Sequence, residues 1–140
     1  MADPRAMRSV IRLHRHMTAV LDTELKNGFG LRLIEYEILQ QLCSLGAGTC
    51  LLSELARRLS VHATTVSIAI DRLAPRDLVQ RRTHPTDRRA VMVTITDAGR
   101  ELTDAVTAAL AKIDFGLADL TDAQRETLSG LAGTEWAEQR

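Results

Sequence analysis

The sequence predicts a mainly α-helical protein (an α+β winged helix) carrying one small antiparallel β element, and three observations between residues 51 and 95 predict it. First, Leu52, Leu55, Ala56 and Leu59 recur at helical spacing, as do Val66, Ala69, Ile70 and Leu73, and Ser60-Val61-His62 breaks the pattern between the two sets. Second, from Leu78 onward the period falls from about 3.6 to 2. Val79, Arg81 and Thr83 alternate with Gln80 and Arg82, and Val91, Val93 and Ile95 alternate with Met92 and Thr94. Third, the segment between these strands, His84-Pro85-Thr86-Asp87-Arg88-Arg89, begins with turn formers and ends in cations. Two short helices followed by an arginine-tipped hairpin make a winged helix-turn-helix, and the rest of the chain is expected to hold it in place.

The flanking elements follow in order. Asp3-Pro4 suits a helix start, with Asp able to cap and Pro suited to the first turn. A long helix is predicted from there to Lys26, with Val10, Leu13, Met17, Val20, Leu21 and Leu25 on one stripe and Asn27-Gly28 and Gly30 as its stop. A second helix is predicted from Leu31 to Leu45, with Leu31, Ile34, Ile38, Leu39, Leu42 and Leu45 inward, ending at Gly46-Ala47-Gly48. Ser53 is the expected cap of the next helix, with Glu54 favourably placed in its first turn. After the wing, Thr96-Asp97 opens a helix expected to run to Leu117, about twenty residues or roughly 30 Å. Its stripe is Leu102, Val106, Ala109, Leu110, Ile113 and Leu117. Thr121 to Gln124 spells a capping box, opening a last helix with Leu128, Leu131, Ala132 and Trp136 on one face. Terminal helices with apolar stripes, costly to leave wet at about 25 cal/mol per Å², imply a partner, and a second copy is the obvious one. The expected division is therefore 1–30 as an N-terminal dimerisation helix, 31–96 as the winged helix-turn-helix and 97–140 as C-terminal dimerisation helices.

At 140 residues the chain can bury a real core, and with only 3% aromatic residues that core must be packed from aliphatic side chains. Its apolar runs are too short to span a bilayer and arginines interrupt the N-terminal one, so a cytoplasmic protein without membrane contact is expected. The formal net charge is zero, but it is unevenly spread. Residues 53 to 95 hold eight arginines against four acids, whereas residues 96 to 140 hold four bases against nine acids. A basic segment that coincides with the helix-turn-helix is the footprint of a nucleic-acid site.

Within that segment, Val66, Ala69, Ile70 and Leu73 face the core, so Thr64, Ile68 and Asp71 point the other way and Thr65, Ser67 and Arg72 lie on the flanks. This face is expected to enter the major groove, where Thr and Ser reach base edges or phosphate and Ile68 meets a thymine methyl. An ordinary solvated face would not explain the isoleucine. Arg88 and Arg89 at the hairpin tip, with Arg81 and Arg82 at its base, are expected to enter the minor groove and clamp phosphates. Asp87 is expected to pair with an arginine and hold the wing in shape. Ser53 and His62, at the starts of the two helices, complete the candidate DNA-binding set. His14 and His16 do not make a metal site, since residues two apart on a helix point about 200° apart. Cys43 and Cys50 flank a glycine loop and are expected to be structural thiols.

Taken together, LSELARRLSV, TTVSIAIDRL, LVQRR and DRRAVMVTITDAGREL resemble the MarR (multiple antibiotic resistance regulator) family of winged-helix transcription regulators. The last segment is similar to the family's wing signature of Asp, two arginines, alternating β residues and Thr-x-x-Gly. The resemblance covers residues 31 to 102 in motif and nearly the whole chain in layout. It implies a homodimer made by the terminal helices, binding double-stranded DNA at a palindromic operator. Such a protein is usually a repressor relieved by a small anionic or phenolic ligand or by thiol oxidation. Three positions depart from the pattern. His62 stands where Ser is common as a helix cap, and Ile68 where Arg is frequent. Ala74-Pro75-Arg76-Asp77 replaces a Glu-rich ending that closes on Gly, so Pro75 should end the helix near Leu73 and Asp77 should take the left-handed turn.

Two other function classes compete with a dimeric DNA-binding regulator. A winged-helix module that binds protein would have no need of paired wing arginines. An enzyme would need a catalytic constellation, and no Ser-His-Asp set, Gly-rich phosphate loop or chelating His pair has workable spacing, so neither catalytic residues, metal nor cofactor is expected.

Overall fold

The computed structural model describes residues 2–131. Among these residues, six α-helices and three strands occur in the order α1 (Pro4–Phe29), α2 (Leu33–Ser44), β1 (Thr49–Leu51), α3 (Leu52–Leu59), α4 (Ala63–Leu73), β2 (Val79–Thr83), β3 (Val91–Ile95), α5 (Asp97–Ala111) and α6 (Asp122–Leu131). Helices α3 and α4 are the predicted helix-turn-helix, and β2 and β3 form the wing.

Helix α1 begins as expected, with the Asp3 carboxylate accepting from the Arg5 amide and Pro4 in the first turn. It does not stop at Asn27-Gly28 but runs on to Phe29, and Gly30 ends it in the left-handed conformation (φ 64). Helix α2 opens on a box in which Glu35 accepts from the Arg32 amide at 3.2 Å. Between α3 and α4, Ser60 takes the left-handed conformation and its amide bonds the Ala56 and Arg57 carbonyls. Ser53 is not the cap of α3: the chain leaves β1 straight into the helix, so Leu51 occupies the cap position without a side-chain bond. Helix α4 ends at Leu73, Ala74–Arg76 forms one 3-10 turn, and Asp77 follows at φ 59, as Pro75 and the missing glycine require.

The sheet has three strands in the order β1-β3-β2, not the two of a simple hairpin. The wing register pairs Val79 with Ile95, Arg81 with Val93 and Thr83 with Val91, while Cys50 of β1 pairs with Val93 from the other side. Three residues, Thr-Cys-Leu, are too few to show a period, so β1 is visible only once β3 provides an edge for it.

One core joins α1 to α5 and the sheet: Leu25 of α1, Ile38, Leu39 and Leu42 of α2, Leu55 of α3, Val66, Ile70 and Leu73 of α4, Val93 of β3, and Val106 and Leu110 of α5 are buried. The stripes of the flanking helices are therefore largely covered within the chain. Leu21, Leu25, Val106 and Leu110 need no partner, whereas Met7, Val10 and Ile11 at the start of α1 remain exposed.

The fifth helix is shorter than predicted. It closes at Ala111, and Asp114, Phe115 and Gly116 take positive φ (51, 53 and 78) in a 3-10 turn. Gly116 presses on α1, where an added Cβ would lie 3.1 Å from the Met17 carbonyl oxygen, so a straight continuation of the helix gives way to a close approach. Helix α6 then opens with the expected reciprocal box, the Gln124 backbone amide donating to the Thr121 hydroxyl and the Thr121 backbone amide to the Gln124 side-chain oxygen Oε1. Leu128 is half-buried and Leu131 exposed, and Ala132 and Trp136 lie outside the described residues.

Candidate nucleic-acid interface

Helix α4 presents two faces of opposite character. Val66, Ala69, Ile70 and Leu73 are buried, while Thr64, Thr65 and Asp71 are exposed and Ile68 is 55% exposed. The burial of the first set leaves an exposed isoleucine that contributes nothing to this chain's own core. Ser67 lies half-buried on the flank, and His62 occupies the cap position of α4, its carbonyl accepting from the Thr65 amide at 3.0 Å but its side chain making no cap bond. Ser53 sits exposed in the first turn of α3, beside Glu54, whose carboxyl is held below its usual range by a hydrogen bond from Arg57.

The eight arginines of the segment divide by how far their guanidinium groups are committed. Arg57 and Arg58 both pair with Glu54. Arg72 donates from Nε to the buried Glu35 carboxylate at 3.1 Å, tying α4 to the start of α2. Arg76 donates to the Phe29 and Gly30 carbonyls, both at 3.0 Å, which locks the corner between α1 and α2 onto the end of α4. Arg81 pairs with Asp71 at 2.5 Å and donates to the Ser67 hydroxyl at 3.1 Å. Arg82 donates to the Gln80 side chain at 2.9 Å. Arg88 and Arg89 differ: among the described residues neither guanidinium has an ion pair or a hydrogen bond, and both are exposed at the wing tip. The wing thus ends in two uncommitted cations, and the cations nearer its root are built into the fold.

Among the described residues Asp87 does not pair with an arginine side chain. Its carboxylate accepts from the Arg89 amide at 3.0 Å, which shapes the turn through the backbone instead. His84 helps from the other side, its Nδ1 accepting from the Thr86 and Asp87 amides at 3.2 Å. The tip closes through His84 amide to Ala90 carbonyl (2.9 Å) and Ala90 amide to Asp87 carbonyl (3.1 Å).

Nothing in the sequence marks Glu35, whose burial only the packing of α2 against α4 reveals. The partnership of Asp71 with Arg81 was equally hidden, although both residues lie in the basic segment. Cys43 and Cys50 are free thiols, and burial pushes the Cys50 thiol above its usual range. His16 bonds Asp119 at 3.1 Å, and no cluster of metal-ligating side chains occurs among the described residues.

Residues 31–91 match the MarR family. YhbI of Bacillus subtilis strain 168, an uncharacterized HTH-type transcriptional regulator, is 32% identical over 107 residues, which are 76% of this chain and 68% of that protein. The crystal structure of Sco5413, a MarR family transcriptional regulator from Streptomyces coelicolor, is similar with 33% identity and a TM-score of 0.81, covering 91% of this chain and 88% of the other. The chain belongs to the MarR family. Its fold is the MarR winged helix, and as a MarR-family transcriptional regulator it is not an enzyme. Sco3205, also a MarR family regulator from Streptomyces coelicolor and solved in complex with DNA, shares the fold with a TM-score of 0.79 at 24% identity, over 91% of this chain and 81% of its own. No helix among the described residues is long and apolar enough to cross a membrane.

Proposed function

We propose that this MarR-family regulator is a cytoplasmic homodimer that binds a palindromic operator as a repressor, with α4 in the major groove and the wing in the minor groove of each half-site. The pair of uncommitted arginines at the wing tip carries this reading. A cation held out into water at the end of a hairpin does nothing for the fold, and a narrow minor groove is the environment that attracts it. Thr64, Thr65 and Ile68 supply the groove-facing surface, with Ser53, His62 and Ser67 at its margins and Arg82 near phosphate. A DNA-bound relative of the same fold supports this arrangement. Dimerisation is supported by Met7, Val10 and Ile11, exposed together on the first turns of α1, and by Phe115 and Leu131 near the other end. In this division residues 1–30 and 97–140 join the copies and residues 31–96 read DNA. For release of the operator, a small anionic or phenolic ligand is a better candidate than oxidation of Cys50, because a buried thiol with a raised pKa is a poor nucleophile.

Selection of bound sequences from a random duplex library, together with sedimentation of the free protein, tests the proposal. The expected result is a dimer that enriches an inverted repeat with half-sites about 10 base pairs apart, centre to centre. A monomer that enriches no sequence would favour a protein-binding module instead.

A further inference from the structure

We propose that Arg81 is a positioning residue: with Asp71 and Ser67 it braces the wing against the recognition helix, setting the distance between the major-groove and minor-groove elements. The proposal rests on the DNA-binding reading above. Side chains alternate along a strand, so Arg81 shares a face of the sheet with Val79 and with its register partner Val93, both buried. The Arg81 side chain is therefore directed at the body of the protein, while Gln80 and Arg82 on the other face bond one another. On α4, Ser67 and Asp71 are four residues apart and stand one above the other on one side of the helix. The planar guanidinium spans them, one terminal nitrogen donating to the Asp71 carboxylate (2.5 Å) and the other to the Ser67 hydroxyl (3.1 Å). A fork with fixed geometry that engages two successive turns of a helix resists both sliding and rotation, which a point charge does not. Beyond Arg82, where β1 ends opposite Met92, the wing is a two-stranded ribbon, flexible by itself, so a small tilt at this root displaces the arginines at the tip.

The charges point the same way. Asp71 is an acid on the exposed side of a helix that would lie against phosphates, where it would weaken binding if it had no other task. Paired with Arg81 it adds no net charge, and its contribution is geometric.

The two roles for Arg81 give different results. A phosphate clamp, when removed, flattens the dependence of log affinity on log salt by about 0.9. Loss of a brace weakens the selected operator, by about tenfold, with the slope unchanged and little effect on an unrelated duplex. Arg81→Ala, Asp71→Asn and the double variant should each show this loss, and the double variant should lose no more than either single one. The charge swap Asp71→Arg with Arg81→Asp should recover part of the affinity. Fluorescence anisotropy over a salt series reads these quantities, with thermal melting to confirm folding. In the free protein, backbone order parameters of residues 84–90 should fall in both single variants. Asp71→Asn binding as tightly as the parent or more so, a shallower salt slope for Arg81→Ala, or unchanged order parameters would overturn the proposal. If the parent itself selects no sequence, the DNA-binding reading fails, and the order parameters still decide the brace.

Discussion

Gly99→Ala should destabilise the protein although it occupies the first turn of a helix, where alanine is ordinarily preferred. An alanine Cβ there would lie 2.2 Å from the Leu78 carbonyl oxygen and 2.7 Å from Ile95 Cγ1. Neither neighbour can turn aside. The carbonyl is backbone, already accepting from the Thr96 amide at 3.1 Å, and Ile95 is 6% exposed in a strand paired with Val79. A carbon and a carbonyl oxygen rest at about 3.3 Å or more, so α5 and the root of β2 must part by roughly 1 Å. Overpacking of this kind costs about 1–3 kcal/mol, and the gain in helix propensity offsets at most about 1 kcal/mol. A net loss of about 1–2 kcal/mol should lower Tm by roughly 3–8 °C in a chain of this size. Gly28→Ala is the control, because Gly28 lies inside α1 with nothing within 4 Å of the added Cβ. There the same substitution should stabilise by about 0.5–1 kcal/mol. Urea and thermal unfolding of both variants and the parent, at one protein concentration so that any dimer contributes equally, measure the difference. If Gly99→Ala unfolds within about 0.5 kcal/mol of the parent, the contact does not govern the position and the reasoning fails.

Three other predictions follow from the same geometry. Ile68→Ala should relax preference at one symmetric base pair by about 1 kcal/mol, read by competition among operator variants, and an unchanged profile would remove Ile68 from the groove. Arg88→Ala and Arg89→Ala should each weaken binding. The side chain that inserts should lose most on operators with A·T-rich flanks, and one that clamps phosphate should instead lower the salt slope by about 0.9 on all of them. Equal affinity and slope in both variants would mean that the wing is not a DNA element. The raised Cys50 pKa has a sign that can be checked: as pH climbs through the ordinary thiol range near about 8.5, the unfolded chain ionises first and binds fewer protons. Stability should therefore fall with rising alkalinity, with no contribution from this thiol near neutrality. Urea midpoints from pH 7 to 10 should decline less steeply in Cys50→Ala, and identical pH profiles would refute the assignment.

Much of the local structure was legible in the sequence by itself. The periodicity of α3 and α4, the change of period at Leu78, the turn residues of the wing tip, the capping box at Thr121 and the left-handed turn at Asp77 all depend on neighbours within a few residues, and each forms where the pattern places it. The four motif segments that resembled the MarR family did so for the same reason. Signals that misled were local ones overruled by distant contacts. Asn27-Gly28 would end an isolated helix, but Leu25 and Leu31 are anchored in the core and the turn forms at Gly30 between them. The stripe of the fifth helix continues to Leu117, yet the approach of Gly116 to the Met17 carbonyl breaks the helix after Ala111. Strand β1 is too short to carry a period and exists because β3 offers it hydrogen bonds. At the candidate interface, composition showed eight arginines of one kind. Only the tertiary structure separated the wing-tip pair from those held by Glu35, Glu54 and Asp71 and by the Phe29 and Gly30 carbonyls. A charge count records how many cations a segment has, whereas their availability depends on which acids and carbonyls folding brings within about 3 Å, and those partners lie up to 47 residues away along the chain.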